Sequence, residues 1–214
     1  MKIFSLDGPL YKLMSKFGAL LKINLLWVLF SLPIVTLGGA TIAAYDVFLK
    51  MTAEEEEYIG RQYIHSFKKN FKTGIPYGVL LLFCIYVVWL DFSLFEQLEG
   101  NPVILLIMGM IAGFVFLISF LFAFPLQARY ENTLINTLKN SADISIKFFV
   151  RTLTLIIALA VELAFFLWST TTLVFGILIG PACLMYTVAA YAAIFFREIE
   201  KEPGSVIYPD EESE

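Results

Sequence analysis

Five stretches of this chain are long enough, and bare enough of charge, to cross a lipid bilayer: residues 23–45, 75–95, 102–124, 148–168 and 173–196. A helix needs roughly 20 residues to cover a hydrocarbon core of about 30 Å. The first, third and fifth stretches contain no Asp, Glu, Lys or Arg; the second holds only Asp91, and the fourth only Arg151 and Glu162. Lipid offers no partner for backbone N–H and C=O groups, so each stretch must satisfy its own as a helix. The expected fold is all-α, a polytopic transmembrane helix bundle. It occupies one membrane-embedded domain over residues 1–197, and the acidic segment 198–214 reads as a disordered tail.

Composition supports this and excludes most soluble folds. Hydrophobic residues make up 59% of the chain and charged residues 16%, with mean hydropathy +0.79. A soluble domain is nearer 45–50% apolar and about 25% charged, and one this apolar would expose large greasy patches to water. The net charge of −4 hides a segregation. Lysine and arginine gather in the connectors 46–74 and 125–147 and at Arg197, whereas residues 91–101 and 169–172 contain none. By the positive-inside tendency, both basic connectors and the C-terminus face the cytoplasm. The basic residues are too few for a nucleic-acid arm. The first apolar run starts late and is too long for a cleaved signal peptide, so an uncleaved anchor in the cell membrane is expected.

The first run is interrupted by Ser31-Leu32-Pro33 and Thr36-Leu37-Gly38-Gly39. Proline removes a helix hydrogen bond and paired glycines permit a turn. Length favours one kinked span, because each half is short. Charge favours a hairpin, which returns Lys2, Lys12, Lys16 and Lys22 to the cytoplasm and gives six segments. Both readings stand on the sequence.

Polar residues near the runs are the candidates for contact or chemistry. Ile59, Tyr63, Phe67 and Phe71 recur every four residues, the pattern of an interfacial helix with its apolar face in the headgroup region. In 125–147, Tyr130, Leu134 and Leu138 fall on one helical face, with Asn132, Asn136 and Asn140 on the other side. Glu162 is an intramembrane acid, which must face the bundle, find a partner or stay protonated. Asn24 and Asp46 bracket the broken run and are placed to satisfy freed backbone groups. Gly109 with Gly113, and Gly176 with Gly180, have the spacing that lets helices approach closely, within this bundle or between copies. Cys84 and Cys183 lie in apolar runs and His65 is the only histidine, so no metal-ligand cluster is expected. No nucleophile–base pair appears, and no catalytic residue, cofactor or enzymatic activity is expected.

Three strings carry a resemblance. Asn24-Leu25-Leu26-Trp27 followed by Ser31-Leu32-Pro33-Ile34-Val35-Thr36-Leu37-Gly38-Gly39-Ala40-Thr41, then Ser66-Phe67-Lys68-Lys69-Asn70-Phe71-Lys72, then Phe124-Pro125-Leu126-Gln127-Ala128-Arg129-Tyr130-Glu131-Asn132-Thr133 with Leu138-Lys139-Asn140, are similar to blocks of the YesL-like family of bacterial multi-span membrane proteins. Gly39 stands where many relatives have a small residue such as Ala, a departure that leaves the turn intact. The blocks supply the candidate structural or partner-contact residues: Asn24, Pro33, Thr36, Gly38 and Gly39; Phe67, Lys68, Asn70, Phe71 and Lys72; Pro125, Arg129, Glu131 and Asn132. The family has no established activity and no defined catalytic residues. Its frequent encoding beside ABC-type sugar importers and glycan-degrading enzymes implies an accessory role in carbohydrate uptake, with importer subunits as partners besides the lipid bilayer. The alternative is a small channel or secondary transporter with its site at the broken first helix and Glu162.

Overall fold

The computed structural model describes residues 9–54, 58–97 and 103–201. Among them are eight α-helices and no strand: α1 Pro9–Ser31, α2 Leu37–Thr52, α3 Ile59–Gln97, α4 Val103–Leu121, α5 Ala123–Tyr130, α6 Leu134–Lys147, α7 Phe149–Leu167 and α8 Thr170–Ile199. Six helical stretches are long and apolar enough to cross a membrane, and the chain is a multi-pass membrane protein. The acidic tail beyond Lys201, and residues 98–102 of the acidic loop, lie outside the described residues, as do Glu55 to Glu57.

The first apolar run is two helices. Pro33 adopts an extended conformation, and a single 3-10 turn over Ile34–Thr36 leads into α2. Thr36 closes the break. Its hydroxyl, with one proton to share, lies 2.5 and 2.6 Å from the carbonyl oxygens of Phe30 and Pro33, and its N–H donates to Pro33 at 2.8 Å. Carbonyls that a helix end leaves open thus find partners inside the chain. Trp27 Nε1 donates to Thr41 Oγ1 at 3.1 Å, pairing residues on either side of the turn as a hairpin does. The length objection to six segments fails because α1 begins at Pro9 and α2 runs on to Thr52, well beyond the apolar run.

Helix α2 is the centre of the molecule. Nearly all of Gly38 to Met51 is buried, including Tyr45, Val47 and Phe48. It packs along the first half of α3, and α8 and α5 cover its other sides. The α2–α3 contact is backbone to backbone. A Cβ on Gly38 would lie 2.0 Å from the Gly74 carbonyl oxygen, and one on Gly78 would lie 2.8 Å from the Gly38 nitrogen. Only glycine fits there.

Helix α3 is continuous over 39 residues, about 58 Å at 1.5 Å per residue. Residues 59–74 are therefore its opening turns rather than a separate interfacial helix. Their stripe meets protein instead of headgroups: Tyr63 is fully buried and donates to the Ala40 carbonyl at 3.0 Å, and Phe67 lies 4.6 Å from the ring of Phe30. Phe71, at the end of the stripe, is exposed.

The third run also divides. Helix α4 stops at Leu121, Phe122 leaves helical geometry, and α5 resumes at Ala123. Pro125 is the third residue of α5, where its missing N–H would have had no helical partner. The freed Phe122 N–H donates to Ser141 Oγ on α6 at 3.1 Å. Glu131 ends α5 in the left-handed conformation, φ 50° and ψ 41°. That reversal overturns the single helix expected over this connector. Tyr130 belongs to α5, Leu134 and Leu138 to α6, and Asn132 to neither, so the asparagine spacing defines no common face.

Helix α8 opens on Ser169, whose hydroxyl accepts from Thr171 N–H at 3.2 Å while Thr172 Oγ1 accepts from Ser169 N–H at 3.0 Å. This reciprocal cap turns α7 directly into α8. The hairpin of α4 with the second half of α3, and the hairpin of α7 with the start of α8, carry most of the exposed large apolar side chains.

Candidate functional site

Two of the three sequence blocks meet at the α2–α3 crossing, and the third joins them through α5. Gly38 and Gly39 lie against Asn70, Gly74 and Gly78. Asn70 is buried and turned back on its own helix, its Nδ2 donating to the Ser66 carbonyl at 3.0 Å. The third block reaches α2 through Phe124, whose ring stacks on Tyr45 at 6.3 Å. It reaches α3 through an ion pair of Glu131 with Lys69. The Glu131 carboxylate accepts a hydrogen bond from the Lys69 ammonium and holds its pKa above the ordinary lysine value.

Within this unit the candidates divide by direction. Thr36, Gly38, Gly39, Asn70 and Pro125 are buried and hold elements together. Pro33, at the turn, is exposed, and Asn132 is half-buried. Lys68, Phe71 and Lys72 are exposed. Their spacing places them on one face of α3, while Phe67, one step round, faces Phe30. Arg129 points to the far end of α8, with Nε 2.9 Å from Glu200 Oε1, which Tyr130 also meets at 2.7 Å. Arg151 pairs likewise with Glu198 at 2.7 Å.

Asn24 lies apart from the crossing. It is buried, and its Nδ2 donates to the carbonyls of Ile177 and Leu178 at 3.3 and 2.7 Å. Pro181 lies four residues beyond Ile177 inside α8 and has no N–H to give it. Asn24 supplies the missing donor, as backbone freed at membrane depth requires. Glu162 is separate again: Thr187 Oγ1 donates to its Oε2 at 3.0 Å, so this half-buried acid is bonded across α7 and α8. Asp46, the other bracket of the broken run, pairs with Lys50 at 2.9 Å on its own helix.

The small-residue pairs read from the sequence contact other parts of the same chain. A Cβ on Gly176 would meet Phe166, and one on Gly109 would collide with the Asp91 carboxylate; only Gly113 opens on free space. The pair that carries the central crossing, Gly74 with Gly78, has the same spacing and flanks Pro76, yet the sequence reading passed over it. Also missed is a buried polar cluster joining three elements. Tyr77 Oη donates to Gln127 Oε1 at 2.6 Å and lies 2.9 Å from Thr137 Oγ1, which is itself 3.2 Å from Gln127 Oε1. The available signal was a tyrosine and a glutamine at the ends of apolar runs.

Residues 20–92 match the family described as a protein of unknown function, DUF624. That match is consistent with the YesL-like resemblance. It covers Asn24, the Pro33–Gly39 break and the α2–α3 crossing, and it ends before the third block. Neither a curated protein nor a solved structure matches the chain.

Proposed function

We propose that this chain is a non-enzymatic accessory or regulator of an ABC-type carbohydrate importer in the bacterial cell membrane. The observation that supports this reading is the exposed face of Lys68, Phe71 and Lys72 on the opening turns of α3. Two cations flank an aromatic ring there, and neither cation has an acidic partner among the described residues. The glycine crossing holds the neighbouring Asn70 and Gly74 against α2, which fixes the backbone that carries the face. Aromatic and basic side chains on a fixed backbone suit a partner surface that is acidic and lightly apolar. Affinity purification of the full chain in mild detergent should recover importer subunits. A Lys68→Glu, Lys72→Glu double variant should lose them while remaining folded. Repeated recovery of no importer subunit would remove the proposal.

The second reading is a small channel or secondary transporter, favoured by Glu162. The broken helix adds little to it, because Thr36 already satisfies the Phe30 and Pro33 carbonyls. Sugar or ion flux in proteoliposomes should appear and should fall in Glu162→Gln; absence of flux ends this reading.

A further inference from the structure

A polar cavity of about 370 Å³ opens where the last turns of α2, α5 and α8 converge. Ala53, Ala128 and Ala193 line it without filling it, and the cations around it are Lys50, Arg129 and Arg197. Two of these are neutralised. Lys50 lies 2.9 Å from Asp46, the one carboxylate in the lining, and Arg129 Nη2 lies 2.8 Å from Glu200. Arg197 has no ion pair or side-chain hydrogen bond among the described residues. Among the described residues that line the cavity or pair with its lining, three cations stand against two carboxylates, and the unpaired cation is a planar group with five donors.

A cation in the last turn of a helix complements the helix dipole, which accounts for the placement of all three. It does not account for the cavity, or for an exposed Arg197 whose donors meet no protein partner among the described residues. Nor do nearby helix-end carbonyls call on them: Lys50 C=O accepts from Ala53 N–H at 3.1 Å and Phe196 C=O from Glu200 N–H at 2.9 Å.

We infer that this cavity binds a phosphate-bearing anion, with Arg197 as its principal donor and Lys50 and Arg129 as flanking charges. Guanidinium matches phosphate bidentately, and basic pockets between membrane helices hold anionic headgroups. The phosphate belongs either to a phospholipid headgroup or to a small phosphorylated solute. The inference stands apart from any role at an importer.

The test uses the full chain in neutral detergent, read by thermal unfolding and by native mass spectrometry. One arm titrates phosphatidylglycerol against phosphatidylcholine; the other titrates inorganic phosphate against chloride at equal ionic strength. Saturable stabilisation by phosphatidylglycerol alone identifies a lipid headgroup, and stabilisation by phosphate as well identifies a free phosphate source. Arg197→Gln should weaken either effect about tenfold, the scale of one lost charge-assisted hydrogen bond. Arg197→Lys, which keeps the charge and loses the fork, should fall between and serves if the glutamine variant does not fold. Lys139→Gln, on an exposed face of α6, should leave binding unchanged. No saturable binding of either ligand, or equal binding by wild type and the Arg197 variants, overturns the inference.

Discussion

Helices α2 and α4 are both apolar helices of membrane-spanning character, yet they solve opposite problems. Helix α2 is almost wholly buried, and it is built from Gly38, Gly39, Ala40, Ala43 and Ala44 beside Tyr45 and Phe48. Helix α4 is a near-unbroken run of Leu, Ile, Met, Val and Phe, and Met108, Met110, Ile111, Phe114 and Val115 are all more than half exposed. In water the greasier helix would be the core. In lipid the relation inverts, because tails are as apolar as leucine and nothing drives Leu inward. Close backbone approach drives association instead, and small residues supply it. Hydropathy therefore finds the membrane in this chain, and glycine finds the centre.

That contrast is easiest to break at the glycines. Gly38→Leu should abolish the folded species, since its Cβ alone would overlap the Gly74 carbonyl; overpacking against rigid backbone exceeds the usual cost of about 1–3 kcal/mol. Gly113→Leu on α4, with nothing within 4 Å, should behave as wild type. Size-exclusion profiles and thermal unfolding in detergent compare the two, and equal tolerance would refute the central role of the crossing. A smaller effect is expected at the polar cluster behind α2. Tyr77→Phe deletes the hydroxyl shared by Gln127 and Thr137 and should cost about 1–3 kcal/mol, seen as a lower unfolding midpoint. An unshifted midpoint would mean that the cluster is decorative. The smallest effect belongs to the exposed pair of Lys69 and Glu131. A double-mutant cycle should give a coupling of about 0–1 kcal/mol, reduced by salt. The raised Lys69 pKa fixes its sign with pH: the contribution is present at neutral pH and fades as pH rises through that value. A coupling that survives molar salt would show the pair to be shielded.

The same inversion explains what the sequence could tell. Helical class and the position of the break at Pro33 followed from elementary rules about lipid and proline. Whether the break separated one span or two did not, because charge and length pulled apart and the polar extension of α2 to Thr52 looked like connector. The stripe of Ile59, Tyr63 and Phe67 was legible as a buried face but not as buried in protein, since headgroups and helices accept the same side chains. Glu131 was opaque for a different reason: a left-handed glutamate announces no turn. The Tyr77–Gln127–Thr137 cluster joins residues fifty and sixty positions apart, beyond any periodic pattern. The exposed trio of Lys68, Phe71 and Lys72 emerged only when the crossing showed which side of α3 was taken.

The bond from Asn24 to α8 joins residues more than 150 positions apart. On the ribosome, the amide enters the bilayer long before its acceptors have been synthesised. The first hairpin is therefore made before the carbonyls that Asn24 meets in the finished fold exist. A chain truncated before Ile177 lacks both acceptors that the Asn24 amide meets in the finished fold.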